Sequence, residues 1–119
     1  MGEYGFPKEN RLRSSRDFER VYREGRLFQN RYFRIFYRKR SGPPRLGLVV
    51  SRKLGKAVVR NRAKRIIREA FRLNKDQLEN LEVIVQLRAA ATRLAQGELR
   101  EQFLQAIGHL PRDGSGKDG

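Results

Sequence analysis

Basic side chains are concentrated in the stretch SRKLGKAVVRNRAKRIIREAFR, residues 51–72. Between residues 56 and 72 the chain has seven Lys or Arg residues, and Glu69 is the only acid. Guanidinium groups form forked hydrogen bonds to phosphates, and neutralising phosphates releases condensed counterions, which supplies affinity. The residue types therefore predict binding to a polyanion rather than catalysis by the side chains themselves.

The same stretch has the periodicity of a helix over 57–72. At about 100° per residue, an apolar stripe of Val59, Ala63, Ile66 and Ala70 faces one way, with Ile67 at its margin. The cations collect on the opposite side, and the Gly-containing loop before the helix adds more of them. The candidate polyanion-binding residues are Arg52, Lys53, Lys56, Arg60, Asn61, Arg62, Lys64, Arg65 and Arg68.

A solvated helix face and a membrane-surface helix are the two alternatives to a nucleic-acid interface here. A solvated helix normally intersperses acids at i, i+4 to relieve repulsion, and here only Glu69 does so. A membrane-surface helix would need bulky residues on its apolar side, whereas Ala63 and Ala70 favour close packing onto a sheet. Nucleic acid is the favoured partner.

A second candidate surface alternates aromatic rings with cations in the predicted strand RYFRIFYRKR, residues 31–40. Period-two geometry puts Phe33 and Ile35 on a core side with Tyr37, and it puts Tyr32, Arg34, Phe36 and Arg38 on the other. Single-stranded nucleic acid is commonly held by such rings and cations. Phe18 and Tyr22 of a first helix are placed to wall this groove, with Gln86 and Arg88 on a later strand. At helical spacing, Phe18 and Tyr22 equally suit plain core.

The amino-acid composition excludes several classes of function. The 119 residues include 28 Lys and Arg against 13 acids, a formal charge of +15, with no Cys and one His. Disulfides, thiolate metal sites and catalytic triads are excluded, and His109 is expected to be a surface residue.

No apolar run suits a membrane span or a secretory signal, so we expect a cytoplasmic protein. RNA is favoured over DNA, because no helix-turn-helix, zinc finger or zipper pattern is present and because a stacking sheet suits unpaired bases. Neither DNA nor a membrane is expected as a partner.

The element order predicts an α+β fold, a two-layer sandwich of a small mixed sheet with about three helices. A first helix begins at Ser14 or Ser15 and ends at Gly25, and a last helix covers 98–109. Strands at 31–40 and 45–51 are predicted to pair as an antiparallel hairpin across the turn SGPP, and a further strand covers 82–88. We expect an irregular basic arm at 1–13, one RNA-binding domain at 14–110 and a disordered tail at 111–119.

The stretch SRKLGKAVVRNRAKRIIREAFR resembles the signature of the bacterial ribonuclease P protein subunit, whose hallmark is an Arg-Asn-Arg triplet opening a basic helix. Here that triplet is Arg60, Asn61 and Arg62. The segment DFERVYREG is similar to the family's Phe-x-x-Val pattern ending in Gly, supplied by Phe18, Val21 and Gly25. LGLVVSRK also fits the family, and the resemblance covers residues 11–109.

The resemblance implies an αβββαβα-like order with a left-handed crossover between parallel strands. It implies that the nine candidate residues at 52–68 bind the catalytic RNA, ribonuclease P RNA. It also implies that the single-stranded 5′ leader of precursor tRNA lies against Phe18, Tyr22, Phe36 and Arg88, to which the strand alternation adds Tyr32 and Arg34. Cleavage of the leader would then be done by the RNA with Mg²⁺ bound mainly by that RNA, and no catalytic residue is expected in the protein.

Two rival functions belong to other classes. A ribosomal or ribosome-assembly protein shares the basic helix but gives no reason for an aromatic groove. A protein nuclease would need carboxylates paired on one face to hold a metal ion. The acids are instead scattered along the sequence at Asp17, Glu19, Glu24, Glu69, Asp76, Glu79 and Glu82.

Overall fold

Three helices and four strands follow one another in a computed structural model that describes residues 8–110. The elements are α1 (Ser15–Glu24), β1 (Arg26–Gln29), β2 (Phe33–Lys39), β3 (Arg45–Val49), α2 (Ala57–Leu73), β4 (Leu81–Leu87) and α3 (Gln96–Gly108). The predicted α+β class, with three helices and a mixed sheet, is confirmed. Residues 1–7 of the predicted arm and the predicted tail at 111–119 lie outside the described residues.

Local chemistry accounts for the helix boundaries. Ser14 caps α1, because its hydroxyl accepts a hydrogen bond from the Asp17 backbone N–H at 3.1 Å. The α1 helix ends at Gly25, as predicted. At the start of α3 the Glu98 carboxylate accepts from the Ala95 N–H at 3.1 Å, which satisfies one of the donors that a helix start leaves open.

The strand order is β1-β2-β4-β3, so the predicted hairpin between β2 and β3 is wrong. β4 lies between these two strands, antiparallel to β2 and parallel to β3. All of its residues except Gln86 are buried, and a strand that is buried on both faces is best placed in the centre of a sheet. The chain from β3 to β4 therefore crosses over through α2, and the left hand of this crossover stays a prediction.

The turn after β2 is held by the residue just before β4 instead of by a hairpin. Asn80, at φ 67°, accepts a hydrogen bond from Gly42 N–H through its side chain at 3.0 Å and donates its own N–H to the Gly42 carbonyl at 3.1 Å. Its carbonyl accepts from Arg40 N–H at 2.9 Å. Asn tolerates this left-handed conformation better than most residues.

The two faces of the sheet are covered unequally. One face packs against α2 and α3 in a large core whose members include Phe33, Ile35, Ile67, Phe71 and Phe103. These are the two main layers. The opposite face carries a smaller cluster of Leu12, Val21 and Ile84, with α1 lying over β2 and β4. The side of the sheet that faces α1 is therefore only partly covered.

The observed order is αβββαβα, as the family resemblance implied, although the residue pattern alone did not predict β1 or the docking of the segment before α1. β1 forms a hairpin with β2, and the Asn30 side chain accepts from the N–H groups of Tyr32 and Phe33, each at 2.9 Å. Leu12 is buried and donates its N–H to the Leu46 carbonyl at 3.0 Å. Asn10 is also buried and donates to the Pro44 carbonyl at 2.8 Å. The last residues of the predicted arm are thus anchored along β3.

Replacing Gly25 by Ala is expected to destabilise the fold by about 1–3 kcal/mol, because the added carbon has no room. A Cβ there would lie 2.5 Å from the Val21 carbonyl oxygen and 2.6 Å from that of Tyr37, both backbone atoms that cannot rotate away. The free energy of unfolding in urea measures the loss. Gly108→Ala is the matched control, since nothing lies within 4 Å of its position, and an equal loss there would contradict this explanation.

Candidate nucleic-acid interface

The predicted polyanion-binding residues lie together, on α2 and on the loop that leads into it. Arg52 and Lys53 are in a short 3-10 turn, and Lys56 is the N-cap residue of α2. The exposed members are Arg52, Lys53, Lys56, Asn61, Arg62 and Arg65, and the half-buried members are Arg60, Lys64 and Arg68. The predicted apolar stripe is on the other side of α2, where Ala63, Ile66, Ile67 and Ala70 are buried.

In the part of the chain that the structure describes, the protein's own carboxylates do not pair with the predicted polyanion-binding residues. Among the described residues, the only ion pair that involves a side chain of α2 joins Arg72 and Glu69 at 2.8 Å. The acids of α1 and β4 pair instead with arginines of the sheet, as in Glu24 with Arg38 at 3.0 Å. The cations of α2 consequently keep their charge available for an external partner.

Glu82 is the centre of this separate ion network. Its carboxylate is 1% exposed and accepts from Arg38 and Arg45, each at 2.9 Å, while Arg40 Nε lies 3.5 Å from it. A buried carboxylate is tolerated only when it is paired and hydrogen-bonded. Arg38, which the alternation put on the nucleic-acid side, is therefore used to stabilise the fold.

The start of α2 adds to the basic character of the surface. No acid is present in its first turn, and Lys56 makes no side-chain cap, so the first N–H groups lack a side-chain acceptor. The Ser51 hydroxyl accepts from the Lys53 N–H at 3.2 Å, and Arg60 Nε donates to the Gly55 carbonyl at 3.0 Å. These bonds hold the loop against the helix, whose positive dipole end favours anions.

A compact aromatic cluster lies on the sheet face beside α1. The rings of Tyr22 and Phe36 meet edge to face with centroids 4.8 Å apart, and the Arg34 guanidinium lies 5.5 Å from the Phe36 centroid. Gln86 donates to the Tyr22 hydroxyl at 3.0 Å. Tyr22 is 39% exposed, so this face offers rings and a cation to solvent rather than being closed core.

Phe18 combines the two roles that the sequence left open. Its ring is half-buried against the cluster of Leu12, Val21 and Ile84, as core packing would require. It also lies over Gly47, where a Cβ would come within 2.6 Å of the ring, so the glycine makes room for it. Phe18 therefore supports the floor of the aromatic face more than it projects from it.

Two predicted members of this surface lie apart from the cluster. Tyr32 precedes β2 in a turn, so strand alternation does not apply to it; its ring packs against the larger core, 6.4 Å from that of Phe33. Its predicted position beside Phe36 is wrong. Arg88 follows β4, is exposed, and donates to the Asn30 carbonyl at 3.2 Å, which places it at the hairpin end of the face.

A shallow groove of about 180 Å³ joins the surroundings of α2 to those of α1. Lys64 and Arg68 line one side, Phe18 and Gly47 the other, and Arg11 contributes a third cation. The sequence did not predict that Arg11 would lie beside these two cations. The buried Nε of Arg11 has no hydrogen-bond partner among the described residues. Nothing in its sequence position signals this, since its place depends on docking along β3.

Metal-binding clusters and membrane-spanning helices are both absent from the described residues. Within residues 8–110, no group of three or more His, Asp or Glu side chains is arranged to hold a metal ion. None of the helices described is both long and apolar enough to cross a membrane.

Comparisons with known proteins agree with this architecture. Residues 6–111 match the family described as Ribonuclease P. The ribonuclease P protein component of Dictyoglomus thermophilum is 49% identical over 87 residues, covering 71% of this chain and 72% of the relative. That of Desulforapulum autotrophicum is 39% identical over 105 residues, covering 87% and 90%.

Solved structures show the same fold. The RNase P protein of Thermotoga maritima superposes with a TM-score of 0.77 at 37% identity, covering 85% of this chain and 97% of that one. A mutant of the Staphylococcus aureus RNase P protein gives 0.79 at 32% identity, covering 85% and 87%. Because the family match at 6–111 covers all of the described residues, and because relatives and solved structures agree with it, this chain belongs to the ribonuclease P protein family.

Proposed function

We propose that this chain binds ribonuclease P RNA through the α2 cations and the 5′ leader of precursor tRNA through the aromatic face beside α1. The observation that carries the proposal is the charge separation within the molecule. The carboxylates of α1 and β4 neutralise arginines of the sheet, while eight cations on α2 and its preceding loop, Arg52, Lys53, Lys56, Arg60, Arg62, Lys64, Arg65 and Arg68, have no carboxylate partner among the described residues.

The aromatic face suits an unpaired strand better than a duplex. Bases stack on exposed rings, and Arg34 beside Phe36 supplies a cation next to a stacking surface. A-form duplexes hide their base faces, so rings give little advantage there. The groove lined by Arg11, Lys64 and Arg68 connects the two surfaces, which supports a substrate strand running close to the catalytic RNA.

The protein's part in the reaction, as proposed, is binding and charge screening in the cytoplasm. Its acids do not suit a catalytic Mg²⁺ site, because the most buried of them, Glu82, is already engaged by arginines. The phosphodiester would be hydrolysed by the RNA partner with its own Mg²⁺, giving mature tRNA. The chain's residues hold the two RNAs together against phosphate repulsion.

Copurification tests the proposal most directly. RNA bound to the protein in cells is sequenced, and a predominant ribonuclease P RNA together with precursor tRNAs is the expected result. Ribosomal RNA as the main species would favour the assembly-protein alternative. Cleavage of precursor tRNA is then measured with the RNA alone over a range of Mg²⁺, where partial activity at high Mg²⁺ supports screening. Cleavage by the protein without RNA would contradict the division of labour.

Phe36→Leu is expected to weaken affinity for precursor tRNA about tenfold, because it removes one stacking ring while keeping an apolar side chain. The dissociation constant of the complete RNA–protein enzyme is measured for precursor tRNA and for mature tRNA, which has no leader. Mature tRNA serves as the control and should be unaffected. If both RNAs lose affinity equally, the aromatic face is not the leader site.

A further inference from the structure

A second basic recess lies between α2 and α3, away from the aromatic face. It has a volume of about 450 Å³, and its lining residues are Arg62, Arg65, Ile66, Glu69, Gln96 and Arg100. The volume is within the range of clefts that hold small ligands, about 300–1,000 Å³. The outward cations of α2 thus divide between two sides, with Arg62 and Arg65 turned toward α3, and Lys64 and Arg68 toward β3.

The charge of this cleft is unbalanced. Arg62, Arg65 and Arg100 have no carboxylate partner in the described part of the chain. Glu69, the one acid in the lining, is held by Arg72 at 2.8 Å. Three guanidinium groups converging on one recess repel one another, a cost that a bound phosphate would remove.

The floor of the cleft is apolar. Ile66 is only 7% exposed and belongs to the large core, so its surface in the cleft is fixed. Gln96, the first residue of α3, adds an amide that can donate and accept. Cations at the rim, an apolar floor and an amide suit a nucleotide, whose phosphate, sugar and base make different demands. A convex cationic face alone would bind phosphates only.

We propose that the α2–α3 cleft receives an unpaired nucleotide of the RNA partner, with Arg100 and Gln96 of α3 joining Arg62 and Arg65 in holding it. This inference rests on the proposed function, since it assigns a further part of the same RNA interface. It extends that interface from one helix to two. Unpaired nucleotides are the parts of RNA that proteins hold in recesses, where guanidinium planes stack on bases.

Two substitutions test the cleft without disturbing the fold. Arg100→Gln removes one charge, and Gln96→Glu places a negative charge in the recess. Glu is favoured in the first turn of a helix and at i, i+4 before Arg, so Gln96→Glu should not destabilise α3. The matched controls are Arg23→Gln on α1 and Gln105→Glu, which is exposed on the opposite side of α3 from Gln96.

Affinity for transcribed ribonuclease P RNA is measured at about 0.15 M salt. Each cleft substitution is expected to weaken it about fivefold, the contribution of roughly one phosphate contact, while both controls stay near the wild-type value. Because the chain has no Cys, Gln96→Cys can carry a single photo-crosslinker. Crosslinks are expected at an unpaired nucleotide, with Gln105→Cys as the control.

The outcomes separate this inference from the proposed function. One outcome is that a variant without Arg60, Arg65 and Arg68 loses RNA affinity, while Arg100→Gln and Gln96→Glu keep it. The proposal of a nucleotide in the cleft is then overturned, and the proposed function stands. Crosslinks confined to paired nucleotides, or equal losses in cleft and control variants, also overturn it. If the wild-type protein binds this RNA no better than an unrelated RNA, both fail together.

Discussion

Replacing Arg60, Arg65 and Arg68 together by Ala is expected to weaken binding of ribonuclease P RNA by about 100-fold at about 0.15 M salt. The three side chains lie on the outward side of α2, and none of them has a carboxylate partner among the described residues. Each phosphate that is no longer contacted keeps its condensed counterions. The slope of log affinity against log salt should therefore become shallower by about 2–3.

Titrations at several salt concentrations measure both quantities. The matched control replaces three exposed arginines elsewhere, Arg13, Arg16 and Arg23, by Ala. The control removes the same net charge, so an equal loss in both variants would show diffuse attraction rather than contacts on α2. Arg60 also donates to the Gly55 carbonyl, and thermal unfolding is therefore compared to confirm that the variant is folded.

Replacing Glu82 by Gln is expected to destabilise the fold by about 3–5 kcal/mol, the usual effect of breaking a buried ion pair from one side. The carboxylate is buried and lies within 2.9 Å of two guanidinium groups and 3.5 Å of a third. Gln keeps the shape but removes the charge that the three arginines share, so Arg38 keeps only Glu24 at 3.0 Å and Arg45 only Asp17 at 3.8 Å, while Arg40 loses its carboxylate neighbour. In a chain of net charge +15 no surplus of acids can take over.

Urea denaturation gives the free energy of unfolding for this variant. Added salt should recover part of the loss, since it screens the repulsion among the arginines that remain. Glu79→Gln is the control, because Glu79 is exposed, and its effect should be within about 0.5 kcal/mol. A small loss for Glu82→Gln would mean that the three arginines are stabilised by solvent instead of by the carboxylate.

The strand pairing shows why part of the fold escaped prediction. The pattern of β2, a turn and β3 is consistent with a hairpin, and local signals prefer that interpretation. The true neighbour of both strands is β4, more than thirty residues after β3, and its register depends on which strand can be buried on both faces. The sequence predicts a strand at 82–88, but no local pattern indicates which strands lie on either side of it.

The aromatic face was predicted only in part, because local patterns do not determine how its elements come together. Alternation placed Arg34 and Phe36 correctly, because both lie within β2. It failed for Tyr32, which precedes the strand in a turn closed by Asn30. The helical spacing of Phe18 and Tyr22 put them on one side of α1, but only docking of α1 on the sheet decided that one ring supports the face and the other meets Phe36.

The sequence by itself determined the basic helix, because the positions of charges and apolar residues around α2 follow from 3.6-residue periodicity and need no partner. Only the tertiary structure decided which charges remain available. The pairing of Glu82 with three arginines, the docking of Arg11 beside Lys64 and the cleft shared by Arg62 and Arg100 join residues far apart in the chain. Such contacts depend on how helices pack on the sheet, and packing is a property of the whole chain rather than of any segment.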